Sequence, residues 1–295
     1  MNPLAVLLPD GRRLHLQHGP IDLIVEAWGD AREVAAAYRQ ATTAFADVLP
    51  GLVKELPQLR TPLRREAGED QGGSLRGPIA HRMRAACEPY AEGFITPMAA
   101  VAGAVADHVL AAMLAGRDLG KAYVNDGGDI AFHLSPGEKL SCGVVGNLRA
   151  PALDGTVMLT SDMPVRGIAT SGAATKGSGG RSFSFGIADA VTVLAAAAAD
   201  ADAAATIIAN EVDLPGHPAI RRVPASEIDP DSDLGDRLVT LNVGRLFESD
   251  IRAALQAGMA KAEELRRAGL IFGAVLLLRG HNKICSNDIR LLRAA

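Results

Sequence analysis

Aromatic residues are scarce in this chain, 4% of the total with a single tryptophan. Bases of single-stranded nucleic acid stack on aromatic side chains, so the sequence predicts no nucleic-acid partner. An excess of positive charge is also absent. Thirty basic residues against 34 acidic ones leave a net charge of −4, and nothing draws the molecule as a whole towards polyphosphate or an anionic membrane. Cysteine is rare, and Cys87, Cys142 and Cys285 are widely spaced. That excludes a disulfide framework or a zinc knuckle and fits a reducing compartment. Long apolar runs are missing too. Leu4–Leu8 is too short for a signal-peptide core and no basic residue precedes it. No uninterrupted run reaches the ~18 residues of a membrane span, since Pro97–Ala106 stops at Asp107. The expectation is a cytoplasmic protein with no membrane partner. His81, His108, His133, His217 and His281 show no metal-ligand spacing.

What is present is aliphatic and small. Hydrophobic residues make up 48% and charged residues 22%, the balance of a globular protein. The 295 residues suffice for one large domain or two joined halves. Asp10-Gly11 between Leu4–Leu8 and Arg13–Leu16 reads as a hairpin, followed by a strand at Ile21–Ala27. Asp30 is an N-cap for a helix over Arg32–Val48, which should end near Pro50. The stretch 57–77, rich in Pro, Gly and charge, reads as a long mobile loop. Helices are predicted at Pro78–Pro89 and Pro97–Ala115. Gly103 and its alanines in the latter suit close backbone packing, inside the chain or across a homodimer interface.

Short strands follow at Ala122–Asn125, Ile130–Leu134, Leu140–Val145, Thr156–Leu159, Val165–Thr170 and Ala190–Leu194, then an alanine-rich helix over about Asp200–Asn210. Pro215–Asp236 reads as an irregular excursion. A strand at Leu238–Val243, a helix at Phe247–Ala268 and strands at Leu270–Leu278 and Lys283–Leu291 complete the chain. Consecutive strands with clustered helices favour α+β over a doubly wound parallel sheet.

Three segments can carry chemistry. In Asn125-Asp126-Gly127-Gly128-Asp129-Ile130 the paired glycines allow positive φ and an anion-binding nest, with Asp126 and Asp129 as ligands for hydroxyls or a metal-bound water; the same spacing also suits a plain hairpin turn. The loop from Thr170-Ser171-Gly172 to Arg181-Ser182 combines hydroxyls, glycines and the cations Lys176 and Arg181. It suits phosphate but is no Walker motif, and a flexible surface loop would look the same. In the third segment Asp202 and Thr206 stand four apart on one helix face. A carboxylate and a hydroxyl presented together suit Mg²⁺, although an acid there can equally cap its own helix.

In order, Gly127-Gly128-Asp129, Thr170-Ser171-Gly172 and Ala201–Thr206 resemble the GGD, T-S-G and A-D-A-x-x-T segments of the ApbE-like superfamily, whose enzymatic members are FAD:protein FMN transferases. Pro97–Asp107, Asn125–Ile130, Ser184–Val193 and Ala199–Thr206 also resemble hallmark segments of an uncharacterised branch, the family numbered 0280 in the UPF series. The resemblance implies an ApbE-like, T-fold-related α+β fold: mixed and antiparallel sheets packed with helices, in two intimately joined halves of one domain over 1–295. It implies a flavin (FAD or FMN) or another small-molecule diphosphate as ligand. Asn125, Gly127, Gly128, Asp129, Thr170, Ser171, Gly172 and Arg181 would line that ligand, and Asp202 and Thr206 would hold Mg²⁺.

The chain also departs from the transferase pattern. Ala102 stands where the transferases carry Lys, and Ser182–Gly186 has neither the His nor the Pro of their S-H-x-x-D-P segment. A cation and an acid/base are thereby removed, and no catalytic residue is assigned. Three readings stay open: a flavin-handling enzyme, a non-catalytic flavin or nucleotide binder, and an enzyme of another cofactor pathway, such as tetrahydromethanopterin-type pterin biosynthesis in one-carbon metabolism.

Overall fold

Short apolar stretches joined by tight turns set the first strands. A computed structural model describes residues 2–64, 75–144, 155–172 and 183–286. In it, β1 (Leu4–Leu7), β2 (Leu14–His18) and β3 (Ile21–Gly29) form an antiparallel meander. Leu14, Leu16, Leu23 and Val25 are buried on one face. Asp10 closes the first turn by accepting the N–H groups of Arg12 and Arg13. Asp30 caps α1 (Ala31–Ala46) through the Arg32 N–H at 2.8 Å.

Pro50 does not stop helix formation. It falls in the first turn of a second helix, α2 (Val48–Lys54), where a missing N–H leaves no intrahelical bond unmade. A further helical turn, α3 (Leu56–Leu59), occupies the start of the stretch predicted as loop; residues 65–74 of that stretch lie outside the described residues. Its far end is tied down. Glu55 accepts the N–H groups of Arg76 at 2.6 Å and Gly77 at 2.8 Å, at the start of α4 (Pro78–Cys87). The helix predicted over Pro97–Ala115 divides into a 3₁₀ turn, Pro97–Ala100, and α5 (Val101–Leu114).

Strands β4 (Leu119–Asp126), β5 (Asp129–Leu134), β6 (Lys139–Val144), β7 (Gly155–Thr160), β8 (Gly167–Ser171) and β9 (Ala190–Ala195) come next, then α6 (Ala198–Glu211). The excursion predicted as irregular contains β10 (Ile220–Pro224) and the short α7 (Ala225–Ile228). After it come β11 (Leu238–Val243), α8 (Glu248–Arg267), β12 (Gly273–Leu278) and β13 (His281–Cys285). Of the strand predicted to Leu291, residues from 287 onward lie outside the described residues.

The chain divides into two compact units. The first comprises Met1–Leu140, Thr160–Ala169 and Ala195–Ala203. Its strands run in the order β1-β2-β3-β4-β5-β8, every pair antiparallel. α5 packs against α1, α4, β4 and β5. Pro97–Leu114 is long and apolar enough to cross a membrane by length and composition, with mean hydropathy 1.5, but half of it is buried. Its apolar residues serve this core: Ala104, Val105, Ala106, Val109 and Met113 are fully enclosed.

The second unit comprises Ser141–Leu159, Thr170–Leu194 and Ala204–Ala295. In it β9, β12 and β13 are antiparallel, and α8 packs on β12 and β13. Every residue of β12 is buried. β10 and β11 form a separate two-stranded sheet. The architecture is the predicted α+β type, antiparallel sheets packed with helices.

Candidate functional site

The helix that bears Asp202 and Thr206 is set in place by glycines and borrowed caps. In the first unit, a Cβ on Gly103 would lie 2.5 Å from the carbonyl carbon of Ala198 and 2.7 Å from the nitrogen of Ala199. A Cβ on Gly167 would collide with the backbone of Ala197. These contacts lie too close for any side chain, so α5 and β8 press directly on the start of α6. Gly103 thus packs inside its own chain, which accounts for it without a second copy. In the second unit, a Cβ on Gly186 would meet the carbonyl oxygen of Ala209 near the other end of α6. Asn210 Oδ1 there accepts the N–H of Phe185 at 3.0 Å and the hydroxyl of Ser184 at 3.2 Å.

At the crossing with α5, each helix caps the other. The first N–H groups of a helix have no intrahelical acceptor, and neither helix has a capping side chain of its own in front of it: Ala100 precedes α5 and Ala197 precedes α6. Asp107, one turn beyond Gly103, accepts the N–H groups of Ala198 at 3.1 Å and Ala199 at 3.0 Å. In return Asp202 accepts the N–H of Gly103 at 3.1 Å and also that of Ala102. Arg82 stands 3.7 Å from the Asp107 carboxylate. Sequence reasoning missed Asp107, which it read only as the end of an apolar run. The signal was there in Gly103 and Asp107, four apart on a small-residue helix.

The charges of two other acids reach Asp202. Burial, then the charge of Asp129 and more weakly that of Asp126, hold its carboxyl well above the ordinary range, against the pull of the two N–H groups. Asp126 is raised likewise, first by burial and next by Asp129, while the N–H of Asp22 acts the other way. Asp126, Asp129 and Asp202 all keep some accessible surface. Cys87, fully buried, is pushed up by desolvation and by Asp202 and Asp200, which makes it a poor nucleophile.

The Asn125–Ile130 segment is a hairpin with Asp126 facing Asp129 across a two-residue loop. Gly127 and Gly128 have φ of +63° and +115°, and a Cβ at either would meet nothing within 4 Å. They are there for conformation, not for packing. Asn125 Oδ1 accepts the Gly128 N–H at 2.8 Å, which takes one of the N–H groups a nest would offer. The turn aligns Asp126 and Asp129, and their charges reach Asp202.

Thr206 stands one turn beyond Asp202 on α6 and is half-buried. In the second unit, Thr170 shares a 2.9 Å hydrogen bond with Thr192 on the adjoining strand. Ser171 ends β8, and Gly172, with φ of +127°, lies so close to Ala188–Ala190 that a Cβ would sit 3.0 Å from two carbonyl oxygens. Lys176 and Arg181 lie outside the described residues. Among the described residues, no three His, Cys, Asp or Glu side chains form a ready-made metal cage.

A search of curated proteins gives no match. Solved structures do give matches. The crystal structure of the ApbE protein of Thermotoga maritima is 12% identical, covers 97% of this chain and 96% of that one, and has a TM-score of 0.46. The flavin transferase ApbE of Vibrio cholerae is 12% identical over 97% of this chain and 98% of that one, with a TM-score of 0.38. A histidine-to-glycine mutant of the same transferase gives 13% identity over 98% of each chain and a TM-score of 0.36. A family profile described as AbpE bacteria matches residues 5–284, nearly the whole chain, and the chain belongs to that family.

Proposed function

We propose that this protein handles a flavin nucleotide or a similar diphosphate cofactor together with Mg²⁺. What carries the reading is that Asp202 is desolvated and lies within electrostatic reach of Asp129 and Asp126, each of which pushes its carboxyl up, in a chain of this family. A hard divalent cation relieves such repulsion. Mg²⁺ keeps several waters and phosphate oxygens and is held by one or two protein carboxylates. Asp202 and Thr206 would hold the ion. When bound it would neutralise diphosphate charge and polarise a phosphoryl oxygen.

The chain's own residues position that chemistry. Gly103, Gly167 and Asp107 seat the start of α6, and the Gly127-Gly128 turn presents Asp129. Asn125, Thr170, Ser171, Gly172 and Arg181 are the proposed ligand-lining residues.

A non-catalytic binder is the second reading. It is favoured by Ala102, whose backbone N–H bonds Asp202 but whose side chain brings no cation to that position.

Thermal-shift and calorimetric titrations with FAD, FMN and ADP, each with and without Mg²⁺, test the binding. Magnesium-dependent stabilisation by a diphosphate is the expected result; no stabilisation by any of them overturns the proposal. Chromatography of the same mixtures for FMN and AMP, with mass spectrometry of protein for added flavin, separates the readings. Binding without products identifies the non-catalytic one.

A further inference from the structure

Arg279 is the sole non-glycine residue with positive φ among the described residues, at +51°. It forms, with Gly280, the two-residue turn between β12 and β13, where Leu278 faces His281. The left-handed region penalises a side chain with a Cβ, and glycine, asparagine or aspartate ordinarily fill such a turn. An arginine kept there has to be explained by what its side chain does.

The turn is held from the residue just before β9: Asp189 Oδ2 accepts the Arg279 N–H at 2.5 Å, and the Asp189 N–H donates to the carbonyl of Leu277. One amino group of the guanidinium, Nη2, donates to the carbonyls of Val243 at 2.6 Å and Gly244 at 3.4 Å. Its Nε and Nη1 donate to no group among the described residues. The residue is exposed.

The same strand end carries the Thr170-Ser171-Gly172 segment. Gly172 lies against the carbonyls of Ala188 and Asp189, and Thr170 against Thr192. Ser171, a glycine that lets the backbone approach, and a cation whose Nε and Nη1 have no acceptor among the described residues therefore lie on either side of Asp189 at one end of the second unit's sheet, with Thr170 two residues further in. The facing acid, Asp189, is half-buried, and its Oδ2 is engaged by the Arg279 N–H. Guanidinium forks bind phosphate through paired, charge-assisted hydrogen bonds.

We propose that Arg279 is a specificity-determining phosphate contact of the Thr170-Ser171-Gly172 segment, supplying the charge that the two hydroxyls lack. This rests on the diphosphate reading above. The geometry explains the strain: the turn places the arginine, and Val243 and Gly244 hold its fork while leaving donors outward.

The experiment titrates ADP against the full chain with Mg²⁺ present, in wild type, Arg279→Gly and Arg279→Lys, with melting temperatures of the unliganded proteins measured alongside. Arg279→Gly should weaken ADP binding by about tenfold or more. Its melting temperature should stay level or rise, because glycine removes the conformational penalty. Arg279→Lys should recover part of the affinity. Wild-type affinity in Arg279→Gly overturns the inference, and so does Arg279→Lys binding no better than Arg279→Gly; either result leaves the diphosphate reading standing. A wild-type protein that binds no ADP while FAD and FMN also fail to stabilise it removes that reading and this inference with it.

Discussion

Replacing Gly103 by alanine sets two effects against each other. On an exposed helix the change stabilises by about 1 kcal/mol. Here the new methyl would stand 2.5 Å from the carbonyl carbon of Ala198 and 2.7 Å from the nitrogen of Ala199. Those are backbone atoms, so the clash is relieved only if α5 and α6 separate. Overpacking of this kind costs about 1–3 kcal/mol. Separation also stretches the bonds from Gly103 to Asp202 and from Ala198 and Ala199 to Asp107, now 3.0–3.1 Å. Weakening a helix cap costs about 1 kcal/mol at each end affected. Two weakened caps and a mid-range clash outweigh the propensity gain, for a net loss of about 2–3 kcal/mol. At about 2–4 °C per kcal/mol for a chain of a few hundred residues, the melting temperature should fall by about 5–10 °C.

The control is Gly51→Ala. Gly51 lies within α2, and a Cβ there would meet nothing within 4 Å, so this variant should gain up to about 1 kcal/mol. Circular dichroism melts of both variants at one pH and protein concentration decide the matter. A Gly103→Ala protein that melts at or above wild type would refute the closed crossing.

Asp107→Ala leaves two helix N–H groups without their acceptor and should lose about 2 kcal/mol in urea unfolding; an unchanged midpoint would show that water replaces the carboxylate freely. The pH dependence of the same site has a definite sign. Burial raises the Asp107 carboxyl despite its N–H partners and Arg82, so the folded state holds the proton more tightly than the unfolded one. Stability from this group is greatest below the unfolded value and declines as pH rises through the folded one. The stability of wild type relative to Asp107→Asn should therefore fall as pH is raised from about 4, and a rise would contradict the assignment. Cys142, pushed up to about 11 by burial, should be thiolate in about one molecule per thousand at pH 8; alkylation followed by mass spectrometry should find it far slower than a free thiol. Asp202→Asn should abolish Mg²⁺-dependent stabilisation by ADP while leaving any Mg²⁺-independent binding in place, and retention of the Mg²⁺ effect would place the ion elsewhere.

Much of the frame was legible because it rests on local chemistry. Asp10-Gly11 and the Gly127-Gly128 pair declare hairpins through positive φ, Asp30 declares a helix start, alternation marks β2 and an apolar run marks β3. Misreadings arose where composition masked a short element. Pro57 led α3 to be read as loop, though proline suits a first helical turn. The strand at Ile220–Pro224 is short and half-exposed, surrounded by proline and aspartate, and owes its existence to pairing with β11. Two-stranded pairing across a long connection leaves no periodicity to read.

The site was legible only in its residue types. The four-residue spacing of Asp202 and Thr206 put them on one face of α6, but it also suggested that Asp202 serves its own helix. Instead its carboxylate reaches the start of α5, 99 residues away in sequence, while Asp107 serves α6 in exchange. Which helix each carboxylate serves is not written locally, because the acceptor and the orphan donors belong to different helices. This exchange gives Asp202 a second role with a mechanistic consequence. A carboxylate that already accepts two N–H groups is fixed in orientation before any cation arrives, and preorganised ligands lose less freedom on binding. If Mg²⁺ binds at Asp202, then Gly103→Ala, which loosens those bonds without touching a ligand residue, should weaken Mg²⁺-dependent ADP binding in the fraction of protein that remains folded. Equal affinity in the folded variant and the wild type would separate the capping role from the metal role.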